Sequence, residues 1–252
     1  MDGTLKLLDI VRIAGEIKLE TGMTIGGIET FGIGGIDKQV VKEPLKENCP
    51  YIPGSTLKGK MRSLVELADG KVKLSDGKPH SCTNPACGVC AVFGCARAED
   101  NKDAHRGPTR LIVHDAPLDV EAPEAKQFFQ STGRWVDLKT ENTINRVTGT
   151  AEHPRTFERV PAGMSFKFAM SYRVFEMPDK DGNPDKGAFD LKNLGFIKLG
   201  LQLVANDYIG SSGSRGYGRI SLHKVTVRAT MGMVKLPETS WSFTPVETAP
   251  TP

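Results

Sequence analysis

Residues 164–176, MSFKFAMSYRVFE, alternate apolar and polar side chains, and a period of two marks a strand with one face buried and one face open. Such a strand cannot stand alone. It needs neighbours and a covering layer over its apolar side. Three further β-rich runs supply neighbours: DIVRIAGEIKLE at 9–20, a second at 109–116 within PTRLIVHDAPL, and RISLHKVTVRAT at 219–230. Two helical runs supply the layer. In the first, Ser55 is the expected N-cap, Leu57, Met61, Leu64, Val65 and Ala68 share one face, and Asp69-Gly70 stops the run. In the second, DLKNLGFIKLGLQLVAND, the inward positions are Leu191, Leu194, Ile197, Leu201 and Val204.

The order strand, helix, strand, strand, helix, strand predicts an α+β fold with a ferredoxin-like (RRM-like) βαββαβ core. Large insertions are expected at about 21–54, 70–108 and 119–162. The 252 residues are enough to bury a core without disulfides, and 1–236 read as a single domain. The Pro- and Thr-rich segment 237–252 is expected to be a loose tail. Fold alone names no function.

Lys and Arg total 33 against 30 Asp and Glu, a balance too mild to announce a nucleic-acid partner, so any such surface must come from local clustering. The N-terminal MDGTLKLLDIVRIAGEIKLE mixes charges with its apolar residues and is neither a signal peptide nor a membrane anchor. No stretch approaches the roughly 20 apolar residues of a membrane span. The cysteine count of five is odd, which with their clustering suits a reducing, cytoplasmic setting and a metal better than disulfide staples.

His80, Cys82, Cys87 and Cys90 form an H-x-C-x4-C-x2-C set on a loop with Gly and Pro, the pattern of a four-ligand structural Zn2+ site. Cys95 is an alternative to His80, and free thiols in a loose loop are the blander alternative to a site. Cys49 reads as a buried apolar residue. On the first helix, Lys58 and Arg62 flank the apolar face on one side and Lys60 on the other; with Ser55 at the N-terminus they suit a phosphate, or else are ordinary solvated charges. Asp37 ends the glycine-rich run GIGGIDKQV, where an acid usually only shapes a turn. His105 and His114 are further acid–base candidates, and an isolated histidine such as His114 is more often structural.

Eight ordered blocks now align with one family: TGMTIGG, GIGGIDKQV, YIPGSTLKGKMRS, the His/Cys cluster, PTRLIVHDA, ENTINRVTG, ERVPAG and GSSGSRGYGRI. Together they resemble the Csm-type RAMP backbone subunit of type III CRISPR effector complexes. The resemblance implies a guide-directed endoribonuclease. Further copies of the chain stack head to tail on a guide crRNA, beside other type III CRISPR effector subunits, and cut the paired target single-stranded RNA at regular intervals. It gives Asp37 the cleavage role and makes the excursion at 119–162 a thumb-like β-hairpin that distorts the duplex. Lys58 and Arg62 fall on the guide-binding face, and Ser211, Ser212 and Arg215 in GSSGSRGYG fall against guide phosphates. Lys38 can touch a phosphate, and Glu141, Arg146 and Arg159 in the hairpin either grip RNA or form surface pairs.

Two positions depart from relatives: Thr24 and Lys38 stand where histidine and asparagine are frequent. The chemistry implied is attack of the RNA 2′-hydroxyl on its own phosphorus, helped by Asp37 and a weakly held Mg2+ or other divalent cation. The alternative is a non-catalytic crRNA-binding scaffold.

Overall fold

The computed structural model describes residues 4–26, 39–95, 97, 99–100, 106–177 and 183–243. Its centre is a sheet of five strands: β1 (Lys6–Leu19), β4 (Leu111–Val113), β8 (Ser165–Glu176), β9 (Ile220–Ala229) and β10 (Ser240–Trp241). They lie in the order β10-β9-β1-β8-β4, and every neighbouring pair is antiparallel. β8 shows why. Phe166, Phe168, Met170, Tyr172 and Val174 are all buried on one face, while Lys167, Ala169, Ser171 and Arg173 alternate with them. At about 1.5–3 kcal/mol for each large apolar side chain buried, a register slip of one residue would forfeit the whole set.

Two helices cover that face, α1 (Gly54–Ala68) between β1 and β4 and the 19-residue helix Ala188–Asn206 between β8 and β9. Leu57, Met61 and Val65 of α1 and Leu194, Ile197, Leu201 and Val204 of the second helix are buried. The two helices pack closely at Gly200, where a Cβ would lie 3.1 Å from the Met61 side chain. Around this core sit α2 (Gly88–Phe93), a small sheet of β2 (Lys42–Glu43), β3 (Cys49–Ile52) and β5 (Ala116–Pro117), and α3 (Pro123–Thr132). The helix at 188–206 is accordingly α4. β6 (Asp137–Ile144) and β7 (Ala151–Arg159) form a separate two-stranded hairpin that, among the described residues, pairs with no other strand.

Several expectations need correcting. Ser55 is exposed and does not cap α1: Pro53 holds the N-cap position with no side-chain cap, and the Gly54 N–H donates to the Asp115 carboxylate at 2.7 Å. Ala68 is exposed while Glu66 takes an inward place, because Glu66 binds Arg62 and the His80 N–H. The run 109–116 is not one strand: it is split into β4 at 111–113 and the start of β5 at Ala116, and Arg110 ahead of β4 is drawn into a buried ion pair with Asp190. Within the segment read as a loose tail, Ser240 and Trp241 pair with β9, and Trp241 is buried against the core. The polar excursion holds a helix, α3, with Pro at its start and Gly133 in the left-handed conformation at its end. No helix among the described residues is long and apolar enough to cross a membrane.

Candidate metal centre and nucleic-acid interface

The ligand atoms of His80, Cys82, Cys87 and Cys90 all lie within 4.8 Å of one another. Cys82 Sγ is 3.9 Å from Cys90 Sγ, and Cys87 Sγ is 3.5 Å from His80 Nε2. Zinc–sulfur bonds of about 2.3 Å set tetrahedral sulfur–sulfur edges of about 3.8 Å, so the spacing fits. Accepting a hydrogen bond from the Cys90 thiol pulls Cys87 well below an ordinary thiol, and the same pairing, with burial, pushes Cys90 up. A metal ion binds thiolates and so displaces such thiol protons. Among the described residues this is the one group of three or more such ligands. Cys95 lies outside it, 2.7 Å from Arg106 Nη1.

The loop is fastened to the core. Arg62 donates to the His80 carbonyl at 2.7 Å and pairs with Glu66 at 2.7 Å, while the His80 N–H donates to the same Glu66 oxygen. Arg106 donates to the carbonyls of Cys82 and Asn84. Arg62, expected to face RNA, is engaged with the His80 carbonyl and Glu66. Lys58 is half-buried and donates to the Leu111 carbonyl at 2.9 Å; burial first, then Arg62 and Arg173, lower its pKa. Lys60 sits apart from this pair, 2.7 Å from Asp207 and 3.6 Å from the Tyr208 ring centroid. The N-terminus of α1 already holds a carboxylate, Asp115, where a phosphate was anticipated.

Asp37 and Lys38 lie outside the described residues, as does His105. The chain on either side of 27–38 is well fixed. Gly26 and Val40 form a bridge, and the Val41 N–H donates to the Ile25 carbonyl at 3.0 Å. Glu158, on β7, accepts from the Val40 N–H at 3.0 Å and from Lys42 Nζ at 2.7 Å. Thr24 is buried and donates to the Glu158 carbonyl, and its own carbonyl accepts from the Ser211 N–H and hydroxyl. The glycine-rich loop, the hairpin and both ends of the 27–38 segment therefore converge.

In that loop Ser212 is left-handed and Arg215 is exposed, 3.4 Å from Glu141. Gly218 has φ +72, and a Cβ there would overlap the Ile209 carbonyl. Arg146, at the hairpin tip, donates to the Ile144 carbonyl, and Arg159 pairs with Asp137 at 3.0 Å. His114 is exposed with Nε2 3.2 Å from Ser171 Oγ. Sequence reasoning missed Glu158 and Tyr217. Their partners lie 116 and 76 residues away, so no local spacing marks them.

A family model, the RAMP superfamily, matches residues 16–221. A protein of Methanocaldococcus jannaschii named CRISPR system Cms endoribonuclease Csm3 is 40% identical over 222 residues, 85% of this chain and 79% of its own. Proteins of the same name from Methanothermobacter thermautotrophicus and Streptococcus thermophilus are 38% and 35% identical, covering 86% and 88% of this chain and 84% and 91% of their own. The chain belongs to the Csm3 family of the RAMP superfamily. A solved structure described as the Type III-B Cmr-beta bound to cognate target RNA shares the fold, with TM-score 0.53 and 18% identity over 87% of this chain. The chain spans 61% of that chain's length.

Proposed function

We propose that this Csm3-family chain is a backbone subunit of a type III CRISPR ribonucleoprotein, binding guide crRNA in stacked copies and cutting the paired target RNA at regular intervals. The sheet order β9-β1-β8-β4 with α1 and α4 on one face supports a ferredoxin-like core with the hairpin β6–β7 as its thumb. The donor set His80, Cys82, Cys87 and Cys90 supports a Zn2+ that staples the insertion and takes no part in the reaction, since four protein ligands leave no open position. Cysteines that form no disulfide suit a reducing cytoplasm.

One observation carries the catalytic reading beyond kinship. The ends of the segment that contains Asp37 are pinned together beside the glycine-rich loop and the hairpin root. A guide lying along Ser211, Ser212 and Arg215, with target strand splayed by the hairpin, brings a target ribose to that junction. Asp37 orients or deprotonates the 2′-hydroxyl for in-line attack on the neighbouring phosphorus. Products then end in a 2′,3′-cyclic phosphate and a 5′-hydroxyl. A weakly held divalent cation, when bound, neutralises charge on the phosphate.

The test is Asp37→Ala in the assembled, guide-loaded complex. Target cleavage should fall about 100-fold or more, the scale of lost acid–base catalysis, with guide and target affinity retained. Undiminished cutting by the variant would remove the assignment and leave a scaffold.

A further inference from the structure

Among the described residues the hairpin β6–β7 pairs with no other strand, and an isolated two-stranded ribbon is marginal in water. The Met23–Val160 backbone bridge fixes the point where the hairpin leaves the body, and beyond it the angle depends on side-chain ties. Glu158 provides one on β7. The other is on β6. Glu141 Oε1 accepts from the Tyr217 hydroxyl at 2.6 Å and lies 3.2 Å from Lys139 Nζ, while Oε2 is 3.4 Å from Arg215 Nη1. Lys139 also stands 4.6 Å over the Tyr217 ring. Tyr217 is only 5% exposed, and Gly216 and Gly218 flank it at φ +84 and +72, so the loop presents the hydroxyl from a fixed backbone.

We propose that Glu141 and Tyr217 are positioning residues that lock the hairpin to the glycine-rich loop and so set where the hairpin meets an RNA duplex lying on that loop. The functional half of this rests on the RNA-cutting reading; the lock itself does not. The carboxylate divides its work. Oε1 holds the buried hydroxyl, and a hydrogen bond to an ionised acceptor is roughly twice as strong as a neutral one. Among the described residues Oε2 meets only Arg215, which is 68% exposed, a contact that solvent weakens. A phosphate can therefore take Arg215 from Oε2 without freeing the hairpin from Oε1. The loop receives RNA while the hairpin keeps its angle. The Tyr217 hydrogen bond, with Lys139 and Arg215, holds Glu141 below the usual carboxylate range, so the lock stays ionised at neutral pH.

Three variants, Glu141→Ala, Glu141→Gln and Tyr217→Phe, test this with two measurements. The first is hydrogen exchange in the purified chain. Glu141→Ala and Tyr217→Phe should speed exchange across 137–144 about tenfold, as expected when a charge-assisted tie is lost, with the central sheet unchanged. The second is the cut pattern of guide-loaded complexes. Both variants should cut about tenfold more slowly and add products displaced from the regular interval, with target affinity within about threefold of wild type, a register error that mere destabilisation does not produce. Glu141→Gln keeps an acceptor for Tyr217 and should restore most of the register.

Unchanged exchange in both variants would overturn the lock. Faster exchange with wild-type cut positions would overturn its positioning role. A wild-type complex that cut nothing would instead remove the RNA-cutting reading, and the exchange data would still decide the lock.

Discussion

Replacing Arg110 with Met isolates a buried charge. Arg110 and Asp190 are both fully buried, with Nε donating to Oδ1 at 2.9 Å. Arg110 also donates to the carbonyls of Arg106 and Pro108, and Asp190 Oδ2 accepts from the Phe175 N–H. Removing the cation leaves the carboxylate, among the described residues, with the Phe175 N–H as its donor, and breaking one side of a buried pair costs about 3–5 kcal/mol. We take about 4 kcal/mol near neutral pH, or a fall in Tm of roughly 8–16 °C at this chain length.

The carboxyl has an escape. Burial already raises the Asp190 pKa above 3.8 even with Arg110 opposing it. Without Arg110 it rises further, the folded variant binds a proton the unfolded chain does not, and stability falls as pH climbs through the window above 3.8. Urea titrations should therefore show a larger deficit at alkaline than at acid pH. Arg110→Met with Asp190→Asn, which keeps an acceptor for Phe175, should recover more than half of the loss. A single-variant cost under about 1 kcal/mol, or no recovery in the double variant, would refute the reasoning.

Cys87→Ser should abolish zinc co-purification by elemental analysis and make the segment around 80–95 protease-sensitive, because the loop's remaining ties to Arg62, Glu66 and Arg106 cannot replace a metal staple. Asp9 accepts backbone N–H groups from Ile10, Thr230, Met231, Met233 and Val234; burial raises its pKa, but those bonds outweigh it and the net shift is downward. Its stabilisation is thus present above pH 3.8 and lost as pH falls through the lowered value, and Asp9→Asn should flatten acid unfolding while costing about 1–3 kcal/mol at neutral pH in denaturant melts. For single-stranded RNA, Arg215→Ala should reduce the slope of log affinity against log salt by about 0.7, measured by fluorescence anisotropy; an unchanged slope would mean that Arg215 meets no phosphate.

What could be read in advance was whatever local spacing encodes. Alternation gave β8 its face, and the cysteine spacing brought four ligands together, because both patterns are complete within a few residues. Ser55 does not cap α1, and the carboxylate that meets the helix's first N–H, Asp115, lies 61 residues beyond Gly54, out of reach of local spacing. α3 was overlooked in a polar stretch although Pro123 and Gly133 punctuate it; its anchor, Phe129 stacked on Trp135 with ring centroids 4.2 Å apart, depends on a turn that spacing does not announce. Arg62 shows the same limit at the site. Its place on α1 was legible, but its hydrogen bond to the His80 carbonyl, 18 residues on, was not.

A ribbon with bare edges invites another chain to add a strand. Here β7 carries Pro154, which has no N–H to offer, beside His153 at φ +51, and the pairing skips between Glu141 and Thr143. Proline, a bulge and charged residues along an edge are the devices that discourage unwanted strand addition. Crowded copies should therefore meet this ribbon through side chains, and concentrated protein should resist polymerising through it into cross-β aggregates.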